Sequence, residues 1–208
     1  MALEAARRGV FLSASVTDPR RHPKYFQTAR ANLIREAVVA LAAEVLPQGE
    51  LVFGGHPSIS PLVARVAGDL GRFEGVVVFQ SLWFHPTEGK DPKSRVPADS
   101  LAFPRITWTP LADSREGSLE AMRRAMVGSR PFACGVFVGG MEGVEREWEL
   151  FGDAQARAPA YAVASTGGVA LELWEKRSKL DPALAGRLRG DLVYQDLFRS
   201  LLERTHGR

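Results

Sequence analysis

The chain has 208 residues, of which 45% are hydrophobic and 25% charged, and its formal net charge at pH 7 is +3. This length suffices for a full hydrophobic core. The sequence shows no leader at Met1 and no apolar run near the ~20 residues that a bilayer span needs, so we expect a cytoplasmic protein that contacts no membrane. The net charge is too small to indicate nucleic acid, and the lone Cys134 with scattered histidines offers no disulfide and no metal-ligand spacing, so we expect neither metal nor cofactor.

The first half of the chain alternates short apolar runs with amphipathic segments. Strands are predicted at residues 10–12, 51–53 and 76–79. Apolar positions at helical spacing predict helices over residues 29–46 and 58–71, the second of which Ser58 or Ser60 can cap. Residues 85–104 are rich in proline, glycine and charge, so we expect a long loop there that can act as a lid.

The second half continues the same alternation. Strands are predicted at residues 106–109, 135–138 and 161–164. Helices are predicted from residue 114 through residue 126 and at residues 142–156, 169–176 and 191–203. Because apolar strands that alternate with amphipathic helices are typical of a sheet covered on both faces, we predict one α/β domain over residues 1–208, with a Rossmann-like, doubly wound, mainly parallel sheet.

Small and hydroxyl residues follow four of the predicted strands. They are Ser13-Ala14-Ser15, Gly54-Gly55-His56-Pro57-Ser58, Gly139-Gly140-Met141-Glu142-Gly143 and Ser165-Thr166-Gly167-Gly168. Ligands of parallel sheets bind beyond the carboxyl ends of the strands, and a glycine pair there can turn its N–H groups towards a phosphate. We therefore predict phosphate contacts at Gly54-Gly55 and Gly139-Gly140, with plain turns as the alternative.

Polar side chains near the same strand ends complete the predicted site. Serine hydroxyls can donate to ligand oxygens or cap a strand end, His56 can bind a ligand or order its turn, and arginines can hold phosphate or lie exposed on a helix. The predicted ligand contacts are Ser13, Ser15, Gly54, Gly55, His56, Ser58, Gln80, Arg115, Gly139, Gly140, Met141, Glu142, Gly143, Thr166 and Gly167.

The helix after the fifth strand is acidic. In helical geometry Glu145 and Glu149 share one face, while Glu147 points elsewhere. Acidic residues in a first turn stabilise a helix through its dipole. The alternative is that Glu142 or Glu147 holds ribose hydroxyls.

The order of these motifs resembles a known superfamily over most of the chain. The motifs are strand-Ser13-x-Ser15, Leu51-Val52-Phe53-Gly54-Gly55, a helix bearing Met122-Arg123 and Met126, and residues 137–147. Together they are similar to the SLOG superfamily, named for the Smf/DprA and LOG proteins. The resemblance implies a Rossmann-like nucleotide-binding domain that forms a homodimer.

One branch, the LOG proteins, consists of cytokinin-activating phosphoribohydrolases, which cleave the N-glycosidic bond of nucleoside monophosphates. Their motif, Pro-Gly-Gly-x-Gly-Thr-x-x-Glu, resembles residues 138–147 of this chain. The matching residues are Gly139, Gly140, Gly143 and Glu147. Val138 and Val144 replace the proline and the threonine, and Glu142 looks like an insertion.

The LOG branch also carries an Arg-Lys-x-x-Met helix before this motif. Here Arg123 lies three residues before Met126, where the LOG pattern has four. If the chain is an enzyme, the resemblance assigns catalysis to Glu147, against a ribosyl cation, and to Arg123, on the phosphate. A displacement by one helical residue is expected to turn either side chain away from the ligand.

The glycine-rich segments at residues 54–62, 139–144 and 165–168 look closer to a second branch. This branch comprises the SLOG modules associated with bacterial TIR-type antiviral systems. In those modules the fold senses a nucleotide made from NAD, such as a cyclic ADP-ribose. The resemblance therefore implies a sensor of an adenine or NAD-derived nucleotide, whose TIR-type effector is a separate protein, and LOG-like hydrolysis is the alternative. DNA binding is not expected, because no basic stripe is interleaved with aromatic residues.

Overall fold

The computed structural model of the chain is built around a six-stranded sheet, and it describes residues 9–18, 20, 23–90, 98–176 and 180–206. The strands are β1 (Gly9–Ser15), β2 (Glu50–Phe53), β3 (Val76–Ser81), β4 (Ile106–Thr109), β5 (Phe132–Gly139) and β6 (Ala160–Val163). Their order is β4-β3-β2-β1-β5-β6, and all neighbours are parallel. The chain builds outward from β1 to β4 and then returns to the other side of β1, so strand order reverses between β1 and β5.

Helices connect the strands. They are α1 (Pro23–Phe26), α2 (Ala31–Val45), α3 (Ser60–Leu70), α4 (Arg115–Val127), α5 (Glu142–Ala154), α6 (Val169–Glu175), α7 (Pro182–Gly190) and α8 (Tyr194–His206). Short 3-10 turns lie at Phe73–Gly75, Leu82–Phe84, Ala98–Leu101 and Ala164–Thr166. None of the helices in the described ranges has the length and apolar character needed to cross a bilayer.

The two faces of the sheet are both covered, as alternation along β1 illustrates. Val10 and Leu12 belong to the core beneath α2, α3 and α8, whereas Phe11 points to the opposite core beneath α4, α5 and α6. Phe11 is fully buried and packs against Phe132, Phe137 and Phe151. The predicted doubly wound α/β fold is confirmed.

Two helices were not predicted from the sequence. The single turn α1 precedes the predicted helix over residues 29–46. Helix α7 buries only Leu184 and Leu188, which is too few positions to establish a helical period, although Asp181 caps it and Pro182 occupies its first turn.

The predicted lid at residues 85–104 lies partly outside the described residues, which omit 91–97. The end of the segment that leads into β4 is anchored. Phe103 is 3% exposed, and its ring packs edge-on against that of Phe53. This end of the loop therefore belongs to the core.

Candidate functional site

A pocket of about 440 Å³ lies at the carboxyl ends of β1, β2 and β3, bounded by α4 and by the start of α5. It therefore includes both sides of the point where strand order reverses, which is the expected ligand position in an open parallel sheet. The predicted site residues that line it are Ser15, Gly54, Gly55, His56, Gln80, Arg115, Arg123, Met141, Glu142, Gly143 and Glu147.

A larger, open groove of about 960 Å³ lies at the opposite edge of the sheet, near the start of β5. Its lining includes Pro131, Arg157 and Leu184, and none of the predicted site residues. Because strand starts carry neither the glycine turns nor the helix N-termini that bind anions, the smaller pocket is the candidate site.

The carboxyl group of Glu147, which is largely buried, lines the pocket. Ser13 Oγ donates a 2.6 Å hydrogen bond to Glu147 Oε2, and Arg123 Nε lies 3.4 Å from Glu147 Oε1. The Glu147 side chain is 13% exposed. Burial raises the pKa of Glu147 above its ordinary value, while the Arg123 guanidinium and the Ser13 hydroxyl act to lower it.

Ser13 reaches Glu147 because it lies on the same face of β1 as Phe11, towards α5. Ser13 is 1% exposed and does not line the pocket. The structure therefore places this predicted ligand contact behind Glu147. The one-residue displacement of Arg123 from the LOG pattern does not turn its side chain away from the pocket. Arg123 lines the pocket and pairs with Glu147 there.

Arg123 and the start of α5 form one corner of the pocket, and the first turn of this helix also carries the acidic residues Glu142 and Glu145. Arg123 Nη2 lies 3.1 Å from the position that a Cβ at Gly143 would occupy. Helix α5 begins without a side-chain cap, and the N–H groups of Met141 and Gly143 have no partner among the described residues. A guanidinium beside uncapped amides at a helix N-terminus is an arrangement that binds anions.

The glycine pair after β5 lies behind this corner. The Gly139 N–H donates to Thr166 Oγ1 at 2.9 Å, and the Gly140 N–H donates to the Ser15 carbonyl at 3.0 Å. Gly139 has φ of +57°, and a Cβ there would stand 2.4 Å from Ile34 Cδ1. Phosphate binding by these two amides remains a prediction. It requires each amide to give up its hydrogen bond within the protein and to donate to the phosphate instead.

The segment after β6 closes the same region from the other side. Thr166 is fully buried, and its hydroxyl donates to the Val163 carbonyl at 2.6 Å while accepting from Gly139. Gly167 lies against the Thr28 backbone, where a Cβ would stand 1.9 Å from the Thr28 carbonyl oxygen. The structure thus places Thr166 and Gly167 outside the lining of the pocket.

The turn after β2 is held by Gln80. Gln80 Nε2 donates to the Gly55 carbonyl at 3.0 Å, and Gln80 Oε1 accepts from the Ser81 N–H at 3.2 Å. Gly55 has φ of +60°, a backbone conformation that favours glycine. Gln80 therefore lines the pocket and also fixes the shape of the glycine turn.

His56 and Ser58 join this turn to the end of β1. The Ser58 N–H donates to His56 Nδ1 at 3.2 Å, and Ser58 Oγ accepts from the Val16 N–H at 3.1 Å. Ser58 Oγ also lies 2.8 Å from His56 Nδ1, so the two side chains hold each other within the turn. Ser58 itself does not line the pocket, whereas His56 does.

The pocket also has an apolar wall, whose residues are not among the predicted ligand contacts. Leu119 and Met122 of α4 line the pocket together with Phe84, whose ring centroid lies 5.6 Å from the Arg115 guanidinium carbon. The spacing of Arg115, Leu119 and Met122 places all three on one helix face, so a helical projection of α4 contained this signal.

The described residues were also compared with the side-chain groups that hold metals or react as thiolates. Within the described ranges, no three His, Cys, Asp or Glu side chains come together as metal ligands. Burial raises the pKa of the Cys134 thiol to about 12, so it stays protonated near neutral pH.

Comparisons with known proteins bear on the fold and the family. A model of the SLOG cluster3 family matches residues 24–202. Among solved structures, the X-ray structure of TM1055, a structural-genomics target, is similar with a TM-score of 0.63. It is 13% identical in sequence, and the match covers 95% of this chain and 99% of that one, so the likeness shows the fold alone. No curated protein matches the sequence.

Proposed function

This chain belongs to the SLOG cluster3 family, and from that premise we propose that its strand-end pocket binds an adenine or NAD-derived nucleotide, of the ADP-ribose or cyclic ADP-ribose type. The observation that carries the proposal is the corner formed by Arg123 and the uncapped start of α5, which lines the same pocket as an apolar wall. A nucleotide has this polarity, because its phosphate is anionic and its base has an apolar face.

The proposal assigns each part of the nucleotide to a part of the pocket. Phosphate lies against Arg123 and the N–H groups of Met141 and Gly143. The ribose lies against Glu147, and the base stacks beside Phe84. A pocket of about 440 Å³ falls in the usual range for small-molecule sites, roughly 300–1,000 Å³.

The test compares two neighbouring arginines of α4. Arg123 is 18% exposed and faces Glu147, whereas Arg124 is 60% exposed and pairs with Glu120. In calorimetric titrations with ADP-ribose, Arg123→Ala should weaken binding by about tenfold or more, the effect of a lost charge-assisted hydrogen bond. Arg124→Ala should bind as the wild type does.

Two outcomes would contradict the proposal. One is a wild-type protein that binds none of AMP, ADP-ribose and cyclic ADP-ribose. The other is equal binding by both arginine variants, with circular dichroism showing that both are folded.

The second candidate function is LOG-like hydrolysis, which the geometry of Glu147 and Arg123 favours. Water would attack the anomeric carbon of a nucleoside 5′-monophosphate, the N-glycosidic bond would break, and the base would leave with a proton from the water. Glu147 would stabilise the ribosyl cation as a carboxylate. Chromatography of AMP mixtures decides: hydrolysis predicts free adenine from the wild type, and none from Glu147→Gln.

The location of the protein, its oligomeric state and its effector are part of the same proposal. From the length and pattern of the sequence we infer a single cytoplasmic domain, and from the resemblance a homodimer that signals to a separate effector of the TIR type or another type. Intact ligand recovered after binding would support this sensor interpretation, and released base would support the hydrolase.

A further inference from the structure

A small gap faces Glu147 at the end of β2, where Gly54 has no side chain. A Cβ at Gly54 would stand 3.5 Å from Met122 Cε, 3.7 Å from Met126 Cε and 3.9 Å from Glu147 Oε1. These are ordinary van der Waals distances, and Gly54 is not among the glycines with positive φ. Neither the backbone nor the packing of the fold therefore requires a glycine at this position.

The adjacent glycine gives the contrast. Gly55 has φ of +60°, and a Cβ there would stand 2.8 Å from Gln80 Nε2 and 2.9 Å from Val78 Cγ1. The turn after β2 thus needs Gly55 for structural reasons. Gly54 instead borders the pocket, at a point where a methyl group would fit the fold but reduce the space in front of Glu147.

The chemistry of the gap follows from the two oxygens of Glu147. Oε2 accepts the short hydrogen bond from Ser13, while the contact of Oε1 within the described part of the chain is the long 3.4 Å one with Arg123 Nε. Oε1 therefore keeps capacity to accept another hydrogen bond, and a largely buried carboxyl oxygen without such a partner is costly. A group that enters the gap should be small and should carry a donor.

We propose that Gly54 is a specificity-determining residue, whose missing side chain admits one sugar hydroxyl of the nucleotide as a donor to Oε1 of Glu147. This inference rests on the proposed function, because it takes the ligand to be a nucleotide. It adds that the pocket selects ribonucleotides over an analogue that lacks the hydroxyl in the gap.

The test is a thermodynamic cycle that combines one substitution in the protein with the removal of one hydroxyl from the ligand. Wild type, Gly54→Ala and Gly152→Ala are titrated calorimetrically with AMP, 2′-deoxy-AMP and 3′-deoxy-AMP. Gly152 lies in α5 with nothing within 4 Å of its Cβ position, so Gly152→Ala is the matched control. Gly54→Ala should weaken AMP binding by about tenfold or more.

The deoxy analogues locate the effect. For the analogue that lacks the hydroxyl in the gap, the methyl group occupies the vacated space, so wild type and Gly54→Ala should agree within about twofold. The other analogue should behave like AMP. Gly152→Ala should match the wild type with all three ligands.

Each contrary result has a distinct meaning. Equal binding of AMP by wild type and Gly54→Ala, or the same loss with all three ligands, would overturn the role of Gly54 and leave nucleotide binding intact. A Gly54→Ala protein that fails to fold would overturn it as well, since the glycine would then serve the fold. A wild type that does not bind AMP would end this inference, whereas the proposed function would fall only if ADP-ribose and cyclic ADP-ribose also failed to bind.

Discussion

At the scale of single residues, Glu147 and Gly55 illustrate two different demands on the sequence. Glu147 is an acidic side chain held in a largely buried position by Ser13 and Arg123. Gly55 is a glycine required by a left-handed backbone conformation and by the side chain of Gln80. Glu147 serves the candidate site, whereas Gly55 serves the fold. Substitutions at the two positions should therefore have different effects.

Glu147 should make the free energy of unfolding depend on pH. Its pKa is raised in the folded state, so the folded protein binds the proton more tightly than the unfolded chain does. The stabilising contribution is therefore fully present below the unfolded pKa and is lost as the pH rises through the folded pKa. Glu147→Gln cannot titrate, so its stability relative to wild type should increase with pH.

Urea denaturation of both proteins between about pH 4 and pH 8 measures this difference. Parallel pH profiles would show that Glu147 has the same pKa in both states. A relative gain by the wild type as the pH rises would show that pairing with Arg123 outweighs burial.

Gly55→Ala should destabilise the fold by about 1–3 kcal/mol. Alanine is strained at positive φ, and its Cβ would clash with the Gln80 side chain. Gly152→Ala, in the exposed interior of α5, should instead stabilise by roughly 0.5–1 kcal/mol. Chemical denaturation measures both. Similar stabilities of the two variants would show that the turn relaxes around a side chain.

At the scale of elements, α4 and α5 differ in how their N-termini are satisfied. Ser114 caps α4, and its hydroxyl accepts from the Gly117 N–H at 3.0 Å. Helix α5 has no side-chain cap and begins at the pocket. The fold thus completes one helix start internally and leaves the other available to a ligand.

Ser114→Ala should cost about 0.5–2 kcal/mol of folding stability, because the first turn of α4 loses its cap. Ser129, exposed just beyond the end of α4, provides the control. Ser129→Ala should leave the denaturation midpoint unchanged. Equal midpoints for the two variants would show that water replaces the Ser114 hydroxyl at little cost.

At the scale of the whole molecule, the reversal of strand order between β1 and β5 places the pocket. The family match spans residues 24–202, which includes the pocket-lining helices α4 and α5. The exposed apolar side chains include Phe26, Leu192 and Val193, which lie away from the pocket lining. A homodimer remains a proposal at this scale.

Sedimentation equilibrium of the purified chain tests that proposal. We expect twice the mass of the chain at micromolar concentration, in keeping with the SLOG resemblance. A chain that stays monomeric with and without ADP-ribose would contradict the homodimer.

The sequence by itself determined the type of most elements and the edge of the sheet that carries the candidate site. Runs such as residues 76–79 are apolar on both faces, so only a sheet covered on both sides can bury them. Glycine and hydroxyl residues after the strands then mark one edge, because parallel strands all end on the same side. These inferences depend on local pattern, which a sequence carries directly.

Only the tertiary structure decided which of those residues face the pocket. Ser13 meets Glu147 across 134 positions of the chain, and Arg123 meets it across 24, because α5 packs on β1 and α4 packs beside α5. The Gly139 amide, which local pattern offers to a phosphate, is taken by Thr166, 27 residues away. Hydrogen bonds between distant segments depend on how the elements pack, and no local motif contains that information.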